Sequence, residues 1–327
     1  MKRAAILGGG VALLILLFAQ LGPARILSLL SSLGVNFLVI VALFACHEIV
    51  RALAIGRFLP EERRPPFRVR LRIRFLGEAV GAVTRTGMFG AEPARAWMLA
   101  GHTGPGSHAY VASASELVAN SGTSACVTVV VAAYMIFALD LKGPLLVLSH
   151  VLLWSSLVYV CVAVGAVTAG VYVIGAILRG VAALPLVGRH LATDPVRVRS
   201  IEDAIIQAFT RRPSALAQVI GLELAAQALL VAEIYWTIRS MGIPVDASNA
   251  LYVEVVTKAA NIIQVMGVTE AGYAVVFNWL GMTATVGFTL SLVKMLRSLT
   301  AAGIGLALLN WLDRRYLTSN VSTCLTC

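Results

Sequence analysis

Charged side chains are scarce in this chain of 327 residues. Asp, Glu, Lys and Arg together make up 13% of it and hydrophobic residues make up 59%, whereas a soluble domain carries about 25% charged residues. This shortage leaves little room for a separate soluble domain. It predicts an all-α protein that crosses the membrane several times, because helices satisfy their own backbone hydrogen bonds in lipid.

Acidic residues are the rarer of the charged types, with 16 against 26 basic ones and a formal net charge of +10. The arginines concentrate in two stretches between apolar runs, residues 57–74 and 179–212. Basic loops of this kind mark the cytoplasmic side of a membrane protein. The pattern favours contact with membrane lipid over binding of nucleic acid, and it predicts that both termini are cytoplasmic.

Cysteine is also infrequent, with five residues in the chain. Cys46, Cys126 and Cys161 lie in apolar runs, where cysteine behaves as a small core residue. Cys324 and Cys327 form a C-x-x-C pair, but no second pair and no histidine cluster accompanies it. Such a pair alone indicates a zinc or redox site only weakly. We therefore predict neither a metal nor a cofactor.

The histidines supply no further metal motif. His47-Glu48-Ile49-Val50-Arg51 resembles the start of a zinc-protease motif, but Arg51 stands where the second histidine is required. Glu48 and Arg51 are three residues apart, so they are expected to pair on one face of a helix. We interpret them as an ion pair near the membrane edge.

Long apolar runs predict about six spanning helices, each of which needs about 20 residues. These spans cover approximately residues 4–24, 26–58, 109–139, a part of 143–178, 214–240 and 284–312. They form two membrane halves, residues 1–178 and 214–315, which a basic cytoplasmic linker at 179–213 joins. A polar tail at 316–327 ends the chain.

Two further segments, about 71–101 and 249–281, are polar and interrupted by glycine. Each consists of two short arms around a break, which predicts a re-entrant broken-helix hairpin. Pro93 suits the first turn of a second arm, and a helix N-terminus there would attract anions. Spans and hairpins together then form an inverted repeat, as in many transporters. Alternatively, the uncharged stretch 271–293 itself spans the membrane.

Each glycine break carries a short motif. The first is Gly90-Ala91-Glu92-Pro93-Ala94-Arg95-Ala96 and the second is Gly267-Val268-Thr269-Glu270-Ala271-Gly272. Together with Arg297 in the last helix, they resemble the lysylphosphatidylglycerol synthase transmembrane-region family of flippase-like membrane proteins. That family usually has a second glycine in place of Ala91 and often has Glu-Arg where this chain has Glu116-Leu117.

The resemblance implies a translocase in the bacterial inner membrane that moves a lipid between leaflets. The lipid would be an anionic or aminoacylated phospholipid, or a polyprenyl- or hopanoid-type lipid. Cationic side chains would bind an anionic headgroup, and carboxylates would orient them or bind a headgroup amine. The predicted substrate-binding residues are Glu92, Arg95, Glu270, Arg297, Arg85, Lys258, Glu116 and Asn261.

Other interpretations of these residues stay open at this point. Glu92 with Arg95, and Glu254 with Lys258, could be self-neutralising pairs that only let polar hairpins lie in the membrane. An intramembrane lipid-modifying enzyme would use paired carboxylates as acid and base. An accessory subunit of a lipid-synthesis complex would need no such site. We expect no lysyl transfer, because the chain has no room for a soluble aminoacyl-transferase domain.

The sequence leaves the energy source and the partners undetermined. Glu223, Glu233 and Glu254 lie within predicted helices and are candidate proton carriers. Their protonation would let a pH gradient drive transport. Partners other than lipid would be further copies of the chain or lipid-synthesis enzymes.

Overall fold

The computed structural model describes residues 15–84, 88–103, 107–173, 176, 195–260 and 267–324, and this part of the chain is helical. A short helical stretch at residues 15–20 precedes eleven longer helices. These are α1 (Pro23–Leu33), α2 (Asn36–Phe58), α3 (Phe67–Thr84), α4 (Met88–Thr103), α5 (His108–Ala138), α6 (Pro144–Ala169), α7 (Pro195–Thr210), α8 (Pro213–Ser240), α9 (Ala247–Ala260), α10 (Val268–Trp279) and α11 (Ala284–Cys324). The prediction of an all-α protein is confirmed.

Four of these helices, α2, α5, α6 and α8, are long and apolar enough to cross a membrane. The bounds of α5, α6 and α8 agree with the predicted third, fourth and fifth spans. Large apolar side chains face outward, such as Phe137 of α5, which is 83% exposed, and Trp154 of α6, which is 60% exposed. Surfaces of this kind suit lipid, and the chain is an integral membrane protein with several apolar spans.

The first and last predicted spans are described only in part. Residues 1–14, most of the first predicted span, lie outside the described residues. The last predicted span coincides with the first part of α11. This helix continues to Cys324, through most of the predicted polar tail, whereas Cys327 lies outside the described part of the chain.

The prediction of one helix over residues 26–58 is wrong. The chain turns at Gly34, whose φ of +43° lies in the left-handed region that favours glycine. This turn divides α1 from α2. α1 packs along α11, where buried Ile26 and Phe288 belong to one apolar cluster.

Both glycine-broken segments form two helices, as their predicted arms require. The first pair is α3 and α4 and the second is α9 and α10; residues 85–87 and 261–266 lie outside the described residues. α10 ends at Trp279, and a turn with Gly281 at a φ of +77° precedes α11. Residues 271–293 are therefore not one continuous helix, and the alternative span there is wrong. Re-entry of each pair on one side of the membrane stays a prediction.

The start of α4 differs from the prediction. The helix begins at Met88, so Pro93 lies inside it and not in its first turn. Because proline has no N–H, the carbonyl of Phe89 lacks its usual helical hydrogen bond. Glu92 and Arg95 therefore project from the body of a helix, one turn after its N-terminus.

The first basic stretch was predicted to be a cytoplasmic loop as far as Arg74, and this is wrong for the part that belongs to α3. Arg70 and Arg74 are buried between helices. The side chain of Arg70 crosses α2 at Gly56, where a Cβ would collide with its guanidinium group. Its Nη1 donates a 2.8 Å hydrogen bond to the carbonyl of Ala52.

α11 joins the two helix pairs, because it packs against α3 of the first pair and α10 of the second. The approach of α10 is close: a Cβ on Gly287 would collide with the carbonyl oxygen of Tyr273 and with Phe277. α2 and α8 make another extensive contact, and an apolar cluster that includes Ile40 and Ile234 lies there. The two pairs thus share one supporting helix.

We expect Gly287→Ala to destabilise the protein, because the added methyl group forces α10 away from α11. Overpacking of this kind costs about 1–3 kcal/mol. Thermal unfolding in detergent measures the change. Gly221→Ala in α8 is the matched control, since a Cβ there meets open space and alanine is the better helix former. Equal melting temperatures for the two variants would contradict the close contact.

Candidate functional site

A cavity of about 390 Å³ opens among α2, α3, α4, α10 and α11, with smaller contributions from α5, α8 and α9. Its volume falls in the range of small-molecule sites, about 300–1,000 Å³. Carboxylates on its wall are Glu48, Glu78, Glu92, Glu254 and Glu270. Cations on its wall are Arg51, Arg95, Lys294 and Arg297. An apolar membrane protein thus encloses a strongly ionic space.

Arg95 of α4 connects three carboxylates. It hydrogen-bonds to Glu92 one turn earlier, and its Nη2 lies 3.3 Å from Glu78 Oε2 and 4.0 Å from Glu48 Oε2. The Arg95 side chain can occupy this place only because residue 77 of α3 is glycine. A Cβ on Gly77 would collide with the Arg95 side chain. The guanidinium group is therefore fixed at the cavity wall by helices α2, α3 and α4.

Arg74 of α3 lies behind the wall and is 1% exposed. Its Nε donates a 3.0 Å hydrogen bond to Glu48 Oε2 and its Nη1 donates one of 3.2 Å to Glu116 Oε1. The same Nη1 is 4.0 Å from Glu92 Oε1. One guanidinium group thereby joins α2, α4 and α5 to α3, and charge-assisted contacts of this kind are the strong ones.

Arg51 of α2 extends this network to α8. Its Nη2 lies 2.6 Å from Glu116 Oε1, and its Nε lies 3.8 Å from Glu223 Oε2. Glu48 and Arg51 were predicted to pair with each other, and this is wrong. Each pairs with a charge on another helix, because both side chains point into the helical packing and not along their own helix surface.

A second set of ionic contacts lies along α11. Arg297 pairs with Glu233 of α8, and its guanidinium carbon lies 3.9 Å from the centroid of the Phe44 ring, a cation–π arrangement. Lys294 Nζ lies 3.5 Å from Glu254 Oε2 and 3.3 Å from the Tyr273 hydroxyl. These contacts bring α2, α8, α9 and α10 to the same cavity.

Glu78 links the two sets of contacts. One of its carboxylate oxygens interacts with Arg95, and the other accepts a 3.3 Å hydrogen bond from the hydroxyl of Ser298 in α11. The first helix pair is therefore connected to α11 by a polar contact at the cavity as well as by apolar packing.

Glu270 occupies the N-terminus of α10. Its Oε2 accepts a 2.6 Å hydrogen bond from the backbone N–H of Gly267, whose φ is +84°. A carboxylate at this end of a helix is favoured by the helix dipole. An anion at this N-terminus would therefore compete with the side chain of Glu270.

The predicted site residues occupy different places. Glu92, Arg95, Glu270 and Arg297 line the cavity. Glu116 is fully buried behind it. Arg85 and Asn261 lie outside the described residues.

Lys258 lies apart from the cavity wall. Its Nζ donates hydrogen bonds of 2.7 Å to Ser124 and 3.4 Å to Thr128 on α5. The ion pair of Glu254 runs to Lys294. The predicted neutralising pair of Glu254 and Lys258 is therefore replaced by contacts to other helices.

Sequence reasoning missed Arg74, Lys294 and Tyr273. Arg74 was assigned to a basic loop because arginines surround it in the sequence. Lys294 lies three residues before Arg297, so the two project from one face of α11, and this spacing could have identified it. In the described ranges, no group of three or more His, Cys, Asp or Glu side chains is placed to hold a metal ion.

Replacing Arg74 with methionine should strongly destabilise the protein, because Glu48 and Glu116 would remain buried without their shared partner. Loss of one member of a buried ion pair costs about 3–5 kcal/mol. Arg68→Met on the same helix is the control, since Arg68 is exposed and an exposed substitution changes stability by about 0.5 kcal/mol or less. Thermal unfolding in detergent compares the two; similar losses would contradict the assigned network.

The family model described as the lysylphosphatidylglycerol synthase TM region matches residues 4–305. Searches of curated proteins and of solved structures each gave no match. The matched region includes the motifs at both glycine breaks and the charged face of α11. The chain belongs to the lysylphosphatidylglycerol synthase transmembrane-region family.

Proposed function

We propose that this protein is a lipid translocase. It moves an anionic or aminoacylated phospholipid, or a polyprenyl- or hopanoid-type lipid, from one leaflet to the other. The observation that carries this proposal is the ionic cavity inside an otherwise apolar membrane protein. A polar headgroup needs such a passage, because charged groups are costly in the hydrocarbon core.

In this proposal, Arg95 and Arg297 bind the headgroup phosphate. Guanidinium groups offer two parallel donors that match phosphate oxygens. Both arginines are held at the cavity by carboxylates, Arg95 by Glu92 and Arg297 by Glu233. A phosphate therefore replaces a carboxylate and does not meet a bare cation, so binding is an exchange of partners and is readily reversible.

The carboxylates of the wall give the site a second function. When a phosphate takes Arg95, Glu92 becomes available for a cationic group, and Glu270 lies on the same wall. An amine on an aminoacylated headgroup would bind there through charge-assisted hydrogen bonds. The site thus suits headgroups that carry both signs of charge.

We also propose that α3–α4 and α9–α10 are re-entrant hairpins related as an inverted repeat. Each pair has a break beside a conspicuous Glu motif, and both pairs pack against α11. Rocking of one half against the other would expose the cavity to each leaflet in turn. Both termini then lie in the cytoplasm, as the basic stretches predict.

Arg95→Ala should lower transbilayer lipid movement in proteoliposomes by about 10- to 100-fold, because a hydrogen bond to a charged group contributes about 1.5–3 kcal/mol. The test compares headgroup-labelled phosphatidylglycerol, an aminoacylated analogue and a polyprenyl phosphate. Exposed Arg68→Ala serves as the control. The proposal fails if folded wild-type protein moves none of these lipids, or if Arg95→Ala moves them at the wild-type rate.

Gly77→Ala should also slow lipid movement, although every charge remains. The new methyl group occupies the space of the Arg95 side chain and displaces its guanidinium group from the cavity wall. Gly122→Ala in α5 is the control, because a Cβ there meets nothing within 4 Å. Equal transport rates for these two variants, with both folded, would show that the position of Arg95 is unimportant.

A further inference from the structure

Glu223 of α8 is a buried carboxylate that the proposed headgroup site does not use. It is 0% exposed, and neither of its carboxylate oxygens has a hydrogen-bond partner among the described residues. The cation paired with it, Arg51, places Nε 3.8 Å from Oε2, which is beyond hydrogen-bond distance. An ionised carboxylate in this position is costly, and binding a proton removes that cost.

Charge balance in the surrounding network also favours a proton at Glu223, and Arg51 is the nearby cation that opposes it. The carboxylates that ion pairs join together are Glu48, Glu78, Glu92, Glu116 and Glu223. The guanidinium groups that hold them are those of Arg51, Arg74 and Arg95, and His47 Nδ1 lies 3.3 Å from Glu48 Oε1. Five carboxylates against three guanidinium groups leave a formal excess of negative charge in this network of described residues, and protonation of His47 would remove only a part of it. Protons are the simplest ions that can neutralise it.

The other charged groups near α8 do not neutralise Glu223. Those that act on Glu223 are Arg51 and Glu48 of α2, Glu116 of α5 and Arg74 of α3. Charges on the other helices packed against α8 have partners of their own or are exposed. Arg297 of α11 pairs with Glu233, and Glu254 of α9 pairs with Lys294. In α7, Asp203 accepts a hydrogen bond from Tyr172 and Glu202 is buried with a partner, whereas Arg25 of α1 is exposed.

Shared partners connect Glu223 to the cavity. Arg51 interacts with both Glu116 and Glu223, and Arg74 interacts with both Glu116 and Glu92. Arg95 completes the series through Glu92. Because neighbouring guanidinium groups share carboxylates, a change at Arg95 can alter the contacts of Arg74 and, through Glu116, those of Arg51.

We infer that Glu223 is a proton-binding site linked to headgroup binding in the cavity. When an anionic headgroup that carries no amine takes Arg95, Glu92 turns to Arg74, and Arg74 withdraws from Glu116. Glu116 then keeps Arg51 for itself, and Glu223 binds a proton from solution on a carboxylate oxygen. The proton dissociates again when the headgroup leaves. One negative charge and one proton thus enter together, which lets a pH gradient drive lipid movement. This inference rests on the proposed function.

Proton uptake on lipid binding tests the inference directly. Mixed micelles containing phosphatidylglycerol are added to purified protein in weakly buffered detergent with a pH-indicating dye, over a series of pH values. Wild-type protein should take up protons as it binds lipid, and Glu223→Gln should bind lipid without this uptake. Asp140→Asn, which removes an exposed carboxylate, should behave as wild type. Lipid binding by wild type without proton uptake, or equal uptake by Glu223→Gln, would overturn the inference.

A transport measurement separates this inference from the proposed function. In proteoliposomes, an imposed pH gradient should change the rate of lipid movement by wild type and by Asp140→Asn, but not by Glu223→Gln. If wild-type protein moves lipid at a rate that does not depend on the pH gradient, the inference about Glu223 is overturned and the proposed function stands. If wild-type protein moves no lipid, the proposed function itself fails. Glutamine is nearly isosteric and removes a buried charge, so folding should persist. If Glu223→Gln does not fold, the wild-type measurement still tests the inference: lipid binding without proton uptake would overturn it.

Discussion

The structure depends on the shared contacts of one guanidinium group, that of Arg74. It is almost completely buried, and it holds Glu48 of α2 and Glu116 of α5 at the same time. A charge at this depth is tolerated only when opposite charges surround it. Because those charges come from separate helices, they can stay ionised in the interior only when the helices are packed together. The ionic network and the helix packing therefore form together.

This constraint explains why an apolar chain keeps so many ionisable residues in its interior. The outer faces of α5, α6 and α8 expose apolar side chains suited to lipid, while α2, α3, α4 and α11 turn charges toward one cavity. Carboxylates already pair with the arginines, so in the proposed mechanism a ligand binds in the cavity by exchanging partners. Since neighbouring arginines share carboxylates, an exchange at the cavity wall reaches residues that never touch the ligand. This is the proposed physical route from headgroup binding to protonation of Glu223.

Much of the fold is predictable from sequence because it follows from local rules. The apolar runs give the bounds of α5, α6 and α8 closely, and the glycine breaks locate both helix pairs. The divided second span was missed because hydropathy does not register the turn at Gly34. The helical start of α3 was missed because arginine-rich stretches usually lie in loops at the membrane surface. Local sequence could not show that helix packing would bury those arginines.

The site is less predictable than the fold. Glu92, Arg95, Glu270 and Arg297 were identified from their motifs and line one cavity. The pairing of Glu92 with Arg95 was anticipated from their spacing. The partner of Arg297 was not identified, because Glu233 is distant in sequence. Within a helix, charges three or four residues apart are the expected pairs. Glu92 and Arg95 follow that expectation. Glu48 and Arg51 do not, because burial of their helix against its neighbours gives each a partner on another helix.

The most direct test of this account is an experimental structure of the protein in a phosphatidylglycerol-containing nanodisc. We expect the headgroup phosphate of a bound lipid inside the cavity, within hydrogen-bond distance of Arg95 and Arg297, with Glu92 turned from Arg95 toward Arg74. Lipid headgroups bound only at the outer surface, with Arg95 still held by Glu92 and Arg297 by Glu233, would contradict the central claim.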